Sequence, residues 1–351
     1  MKKVLKVLLI ILLVVVVAAG GFLGWLTVVE HKPEPVEAAE VIAEAEKSDK
    51  IKLGEEMNVI SWNIGYGGLG KGEDCFMDGG TEVQPESKDV VEGYLAGIKE
   101  YIESENADLL MLQETDLSSK RSFDINETEM LRSANGVFAA NFRVKFVPFP
   151  MPPIGRVDSG LFTTTDYAIE SAERISLPVP FTWPTRTANL KRCLLASYLP
   201  IEGTDKKLVL VNLHLEAYDD GEGKIEQTKM LREFIENEYK KGNYVIAGGD
   251  FNQTFPGTME KYPIIHDDYW APGVLENSFL PEGWEFTYDT STPTCRLDNA
   301  PYVEGSPDAQ HYVLDGFILS PNVKLNSVKN ADLHFENSDH NPVKINVTLE
   351  K

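Results

Sequence analysis

The sequence predicts an α/β fold, two packed mixed sheets flanked by helices in one domain, preceded by one N-terminal transmembrane helix. Three observations carry this expectation. Residues 7–29 form an uncharged apolar run. From residue 57 on, strand-like runs alternate with two segments of helical spacing. Those runs end, again and again, in polar residues.

Lys2, Lys3 and Lys6 make a basic tip (residues 1–6) ahead of the 23-residue run Val7–Val29. A helix of that length crosses a hydrocarbon layer of about 30 Å. Lysines on one flank and Glu30 on the other place the tip in the cytoplasm and the rest of the chain outside. The competing reading is a cleaved signal peptide, whose apolar region would be roughly 7–15 residues long and end in a small-residue cleavage site. Here Ala18-Ala19-Gly20 lies inside the run, and no cysteine suited to lipid attachment follows it. An uncleaved, single-pass signal-anchor in the cell membrane is therefore expected.

Residues 30–56 are rich in Glu, Ala, Lys and Pro and poor in large apolar groups. That is the composition of an acidic stalk, part-helical over Glu37–Lys50, holding a catalytic domain of residues 57–351 off the membrane. Within the domain, Met57–Ile64 reads as a buried strand. Val90, Val91, Tyr94, Leu95, Ile98, Tyr101 and Ile102 recur at helical spacing and predict an amphipathic helix over 87–104. Asp108–Glu114 is then an apolar strand that completes a β–α–β unit. Residues 159–164 and 167–177 form a further pair of strands. Arg192–Leu199 and Lys207–Leu215 form another, turning at Glu202-Gly203-Thr204-Asp205. Ile225, Met230, Leu231, Phe234, Ile235 and Tyr239 give a second helix over 224–240, followed by a strand at Tyr244–Asp250. The stretch 251–310 is loop-rich, and strands resume at Tyr312–Leu319 and Val343–Leu349.

The formal charge is −22 at pH 7, of which residues 51–351 contribute −21, from 27 basic and 48 acidic side chains. Such a surface repels polyanions, which disfavours nucleic acid as a substrate and leaves it as an alternative. Cys75, Cys193 and Cys295 are too few and too scattered for a disulfide framework or a zinc cluster. Nothing calls for an obligate protein partner.

Asn63, Glu114, His214, Asp250 with Asn252, Asp315, and Asp339 with His340 end the apolar runs. Active sites are built at the ends of rigid sheets, whereas core strands need no such endings. Each alone has a plain structural explanation as a turn former, a solvated strand end, an Asx turn or a capping pair. Six in one domain do not.

The order Ser61-Trp62-Asn63, Gln113-Glu114, Asn212-Leu213-His214, Gly249-Asp250-Phe251-Asn252, Leu314-Asp315-Gly316-Phe317 and Ser338-Asp339-His340-Asn341-Pro342 resembles the endonuclease/exonuclease/phosphatase superfamily. That group includes deoxyribonuclease-like and sphingomyelinase-like phosphoesterases, and the resemblance covers about residues 57–349. It implies a four-layer α/β/β/α sandwich and a phosphoester hydrolysed by water attacking in line at phosphorus. It implies Mg²⁺, with Mn²⁺ or Ca²⁺ as alternatives, held by Glu114 with Asn63 and Asp339, in keeping with that ion's preference for hard oxygens. It further implies Asp250 to orient or deprotonate the water and Asn252 to hydrogen-bond the phosphate. His340, paired with Asp315, would serve as general base or charged donor. His214 would be an acid to the leaving group, as in the deoxyribonuclease and sphingomyelinase branches.

Arg192 and Arg296, with Arg186, are the arginines nearest these motifs and are candidate phosphate clamps. Tyr218, with Asp219 and Asp220, follows His214 and can shape the pocket. Trp270, Phe279, Trp284, Phe286 and Tyr288 either line a substrate site or pack under a long loop. The expected activity is that of a phosphodiesterase or phosphatase on a small or lipid phosphoester at the outer face of the membrane. A surface nuclease is the alternative, and an inactive binding module the remote one. The lack of a basic cluster disfavours inositol phosphates.

Overall fold

A computed structural model describes residues 2–350 except Asp220 and Asp267. The layering follows from two central pairs of parallel strands. Glu56–Asn63 runs parallel to Leu109–Asp116, and Lys207–His214 parallel to Tyr244–Asp250. Strands buried on both faces read as near-continuous apolar runs. Along the first strand, Met57 and Val59 point between the sheets, whereas Ile60 and Trp62 meet Val91, Leu95 and Ile98 of the helix Lys88–Glu105. The other sheet repeats the plan. Leu208 and Leu210 face the inter-sheet core, and Val209, Val211 and Leu213 pack on Leu231 and Ile235 of the helix Glu222–Lys240. The result is the expected α/β/β/α sandwich.

In strand order, one seven-stranded sheet runs 323–330, 343–349, 56–63, 109–116, 155–165, 135–147, 40–43. The other runs 36–38, 171–176, 193–200, 207–214, 244–250, 315–319, 285–287. The strands 193–200 and 207–214 pair antiparallel across the expected turn. Lys2–Val28 is one apolar helix, long enough to cross a membrane.

Several expectations need correction. Residues 36–43, read as part of a part-helical stalk, are strands. Val36–Ala38 pairs with Ser171–Ser176 and Glu40–Ala43 with Asn135–Val147, so one short segment closes an edge of each sheet. Ile51 is fully buried in the inter-sheet core. Satisfying two open sheet edges outweighs the helix propensity of Glu, Ala and Lys. The strands Gly155–Thr165 and Ser171–Ser176 do not pair, because the chain between them passes from one sheet to the other. Tyr312–Leu319 is broken: His311–Tyr312 pairs with Cys295–Arg296, and only Asp315–Leu319 joins a large sheet. Asn135–Val147 and Val323–Asn330 were not expected. The first mixes Asn141, Arg143 and Lys145 among its apolar residues, and the second is a largely exposed edge.

Candidate active site

The parallel strands of both sheets end at the same rim, and the polar strand ends meet there. Asn63 donates through Nδ2 to Glu114 Oε1 (3.2 Å) on its own sheet and to Asp250 Oδ2 (3.1 Å) on the facing one. Asp250 Oδ2 also lies 3.4 Å from His214 Nε2 and 3.8 Å from His340 Nε2. His340 Nδ1 is 2.8 Å from Asp315 Oδ2, and its Nε2 is 3.8 Å from Asp339 Oδ2. Seven of the eight expected catalytic and metal residues are thus joined by direct contacts. The eighth, Asn252, donates its backbone N–H to Asp250 Oδ1 (2.8 Å).

Local structure explains the motifs. Glu114 has φ 52° at a register shift between Leu112 and Thr115, a bulge that re-aims its side chain from the strand into the site. Gly249 has φ 146°, and a Cβ there would stand 1.9 Å from the Leu213 carbonyl oxygen, so the close approach of the neighbouring strand just before Asp250 requires glycine. Trp62 Nε1 donates to the His340 carbonyl (2.8 Å), and Ser338 Oγ donates to the Asn63 carbonyl (2.9 Å). These bonds tie the first motif to the last. Gln113 Nε2 donates to Asn212 Oδ1 (2.8 Å), and Asn212 Nδ2 to the carbonyls of Leu112 and Phe162 (3.0 and 3.1 Å), which staples the two sheets beneath the site.

Burial and charge set the protonation states. Burial pulls the His340 pKa down, but Asp315, Cys295 and Asp339 override it and hold the imidazole well above its usual range. Burial, aided by the cations Arg192, His340 and Arg121, drives His214 well below its own. His340 therefore favours the charged form and His214 the neutral one. Burial, with Asp315 nearby, pushes Asp250 up to about 6 against the pull of His340. Burial, with Glu114 and Asp78 beside it, pushes Asp339 up to about 7 although His340 and Arg296 oppose this.

Two buried carboxyls held up in this way, beside a third on Glu114, make a donor set that a hard divalent cation would neutralise. Glu114 and Asp339 fit such an ion. Asn63 presents its NH₂ group to Glu114 and Asp250, and its Oδ1 accepts from the Gly65 N–H (3.1 Å). In this orientation it positions the two carboxylates. Asp250, Asp315 and His340 also bring ligand atoms within 4.8 Å of one another, but Asp315 and His340 are already bonded to each other.

The two arginines do not clamp an open phosphate site. Both line the cavity with their head groups already engaged: Arg296 donates to the carbonyls of Leu69, Gly70 and Ala300 (3.4, 3.0 and 3.3 Å) and pairs with Asp298. Arg192 pairs with Glu216 (3.5 Å) and donates to the His214 carbonyl (3.3 Å), so it places His214. Arg186 pairs with Glu30 (3.2 Å). Tyr218 lines the cavity and donates to Asp78 Oδ1 (3.1 Å); Asp220 lies outside the described residues. Phe279, Trp284, Phe286 and Tyr288 pack on the core, and only Trp270 of that group reaches the cavity. Sequence reasoning missed Arg121. Its guanidinium lies 3.6 Å from the Tyr66 ring centre, bonds Asp116 and Ser159 (3.0 and 3.1 Å), and faces the cavity with Glu114 (3.9 Å). Nothing in its local sequence singles it out.

Comparison with known proteins agrees with this picture. The profile of the Endonuclease/Exonuclease/phosphatase family matches residues 60–340. An endonuclease/exonuclease/phosphatase from Beutenbergia cavernae is 16% identical with TM-score 0.58, covering 84% of this chain and 72% of that one. A family protein from Leptotrichia buccalis is 16% identical with TM-score 0.54, covering 83% and 99%. One from Bacteroides vulgatus is 14% identical with TM-score 0.51, covering 84% and 100%. No curated protein matches. At these identities the structures speak for the fold alone.

Proposed function

The chain belongs to the endonuclease/exonuclease/phosphatase family, and from that premise we propose that it is a Mg²⁺-dependent phosphoesterase anchored by its N-terminal helix at the outer face of the membrane. The observation that carries this reading is convergence. Glu114, Asp250, His340 and Asp339, more than 200 residues apart in sequence at the extremes, meet within a few ångströms at one sandwich rim.

Glu114 and Asp339 would hold the cation. When bound, it neutralises charge on the phosphoryl oxygens and favours the attacked phosphorus. Every other task falls to side chains. His340, kept cationic by Asp315, donates through Nε2 to a phosphoryl oxygen and stabilises the charge that grows there in the transition state. Asp250, held by Asn63 and the Asn252 N–H, orients a water and takes its proton as the oxygen attacks phosphorus. Asn252 lines the cavity beside it. The ester P–O bond breaks on the far side, and the leaving alcohol takes its proton from water in the open cavity. The buried His214 ring stands against Asp250 and limits its rotation. Lys2, Lys3 and Lys6 support the outward orientation of the domain.

The test is a panel of esters presented to the purified full-length chain: a bis-aryl phosphodiester, an aryl phosphomonoester, a lysophospholipid, sphingomyelin and RNA. At least one should be cleaved, with turnover abolished by EDTA and restored by Mg²⁺. Undiminished turnover in EDTA would sink the metal-dependent reading.

A further inference from the structure

The outward end of the N-terminal helix is built into the active-site cavity. Phe22, Leu23 and Leu26 line the same space of about 580 Å³ as Glu114, Arg121, His214 and His340. That end is fixed on the domain. Glu30, its side chain 3% exposed, pairs with Arg186 (3.2 Å) and Lys191 (3.4 Å). Trp183 Nε1 donates to Thr27 Oγ1 (3.1 Å), and Phe22 meets Phe146 edge to face at 6.1 Å. Leu26 is buried, whereas every large apolar residue from Val7 to Val17 is more than half exposed.

Depth follows from length. About 20 helical residues cross the hydrocarbon layer. Counted from Val7, they bring Phe22–Leu26 to its outer boundary, where Trp25 also lies and tryptophan is favoured. Lipid phosphates sit just beyond that boundary. Further apolar side chains are exposed here: Met77 and Phe149 line the cavity and are open to solvent, and Met151 and Trp183 are exposed as well. The cavity therefore has an apolar end at the level of acyl chains and a polar end, Glu114, Asp250 and His340, at the level of headgroups. A soluble ester has no use for the apolar end. A lipid has, because a chain that slides from bilayer to cavity avoids water, which would disfavour it roughly fourfold per methylene.

We propose that the end of the membrane helix is a wall of the substrate site, with Phe22, Leu23 and Leu26 forming an acyl-chain subsite across from Phe149, and that the substrate is a lipid phosphoester of the adjacent leaflet. This rests on the anchored-phosphoesterase reading and names its substrate class. Two measurements on the full-length chain in lipid nanodiscs test it. In the first, phosphodiesters sharing one headgroup but carrying long or short chains are compared, in the wild-type protein and in Leu23→Trp, which fills the subsite. Long chains should be preferred, and the long-to-short ratio of kcat/KM should collapse toward unity in the variant, whose filled subsite no longer tells one chain length from another. In the second, a phospholipid with a photoreactive acyl chain is cross-linked to His340→Ala, which needs no turnover. The label should map to Phe22–Leu26 and Phe149. Equal cleavage of both chain lengths with an unmoved ratio, or label confined to Val7–Val17, overturns the subsite. If no ester at all is cleaved in Mg²⁺, the phosphoesterase reading fails, and the cross-link alone still decides whether a lipid chain enters the cavity.

Discussion

His340 and Asp315 stand 2.8 Å apart with almost no access to water, so the charge of one is set by the other. Removing the ring in His340→Ala should lower kcat about 10²–10⁴-fold, the usual range for a positioned proton donor, while metal affinity measured by calorimetry changes little. Asp315→Asn keeps the shape but deletes the charge that raises the His340 pKa. The basic limb of its pH–rate profile should therefore move to lower pH, and an unmoved limb would separate the two residues. In the proposed mechanism Asp250 acts as a carboxylate, and burial sets its pKa near 6, so the rate should fall as pH drops below about 6. A bound cation favours the ionised form and shifts that limb lower still. A profile flat from pH 8 to 4 would contradict the role. Residues of this kind were legible in the sequence because their motifs occur in a fixed order, each at the end of an apolar run. The arginines were not. What decides whether Arg296 binds a phosphate or the Leu69 and Gly70 carbonyls is a contact between segments more than 220 residues apart. The same holds for Arg121, whose partners Tyr66 and Ser159 lie far along the chain.

Central strands were readable nearly residue for residue: Tyr244–Asp250 is a continuous run buried on both faces, and Val343–Leu349 alternates apolar and polar residues with one face in the core. Edges were not, since an edge strand needs little hydrophobic pattern and takes its structure from the neighbour it pairs with. Val36–Ala38 and Glu40–Ala43 show this most clearly: the composition reads as a tether, yet the backbone completes both sheets. The consequence is measurable. A chain beginning at residue 57 loses both edge strands and the buried Ile51, whereas one beginning at residue 30 keeps them. The shorter chain should be less stable by several kcal/mol, since burial of one large aliphatic side chain alone is worth about 2–5 kcal/mol. Its melting temperature should be lower by 10 °C or more, or the chain should fail to fold. Equal melting temperatures would show that the edge strands add nothing to the sandwich.

On the scale of the whole molecule, a net charge of −22 separates the lipid-ester reading from the surface-nuclease alternative by the sign of a salt effect. A nuclease that tracks a phosphate backbone with Lys and Arg releases counterions on binding and weakens as salt rises. The acidic excess disfavours a polyanion, and the arginines that line the cavity are already held, Arg121 by Asp116, Arg192 by Glu216 and Arg296 by Asp298. Raising ionic strength from about 0.01 M to 0.1 M shortens the screening length from about 30 Å to about 10 Å. That removes long-range repulsion while leaving short-range contacts in the cavity largely intact. With Mg²⁺ held constant, any activity on plasmid should start low and rise with salt, and activity on a zwitterionic lipid ester should change by less than about twofold. An order-of-magnitude fall on plasmid over the same range would mean that a basic groove captures the strand despite the acidic surroundings, and the nuclease alternative would then take precedence over the lipid ester.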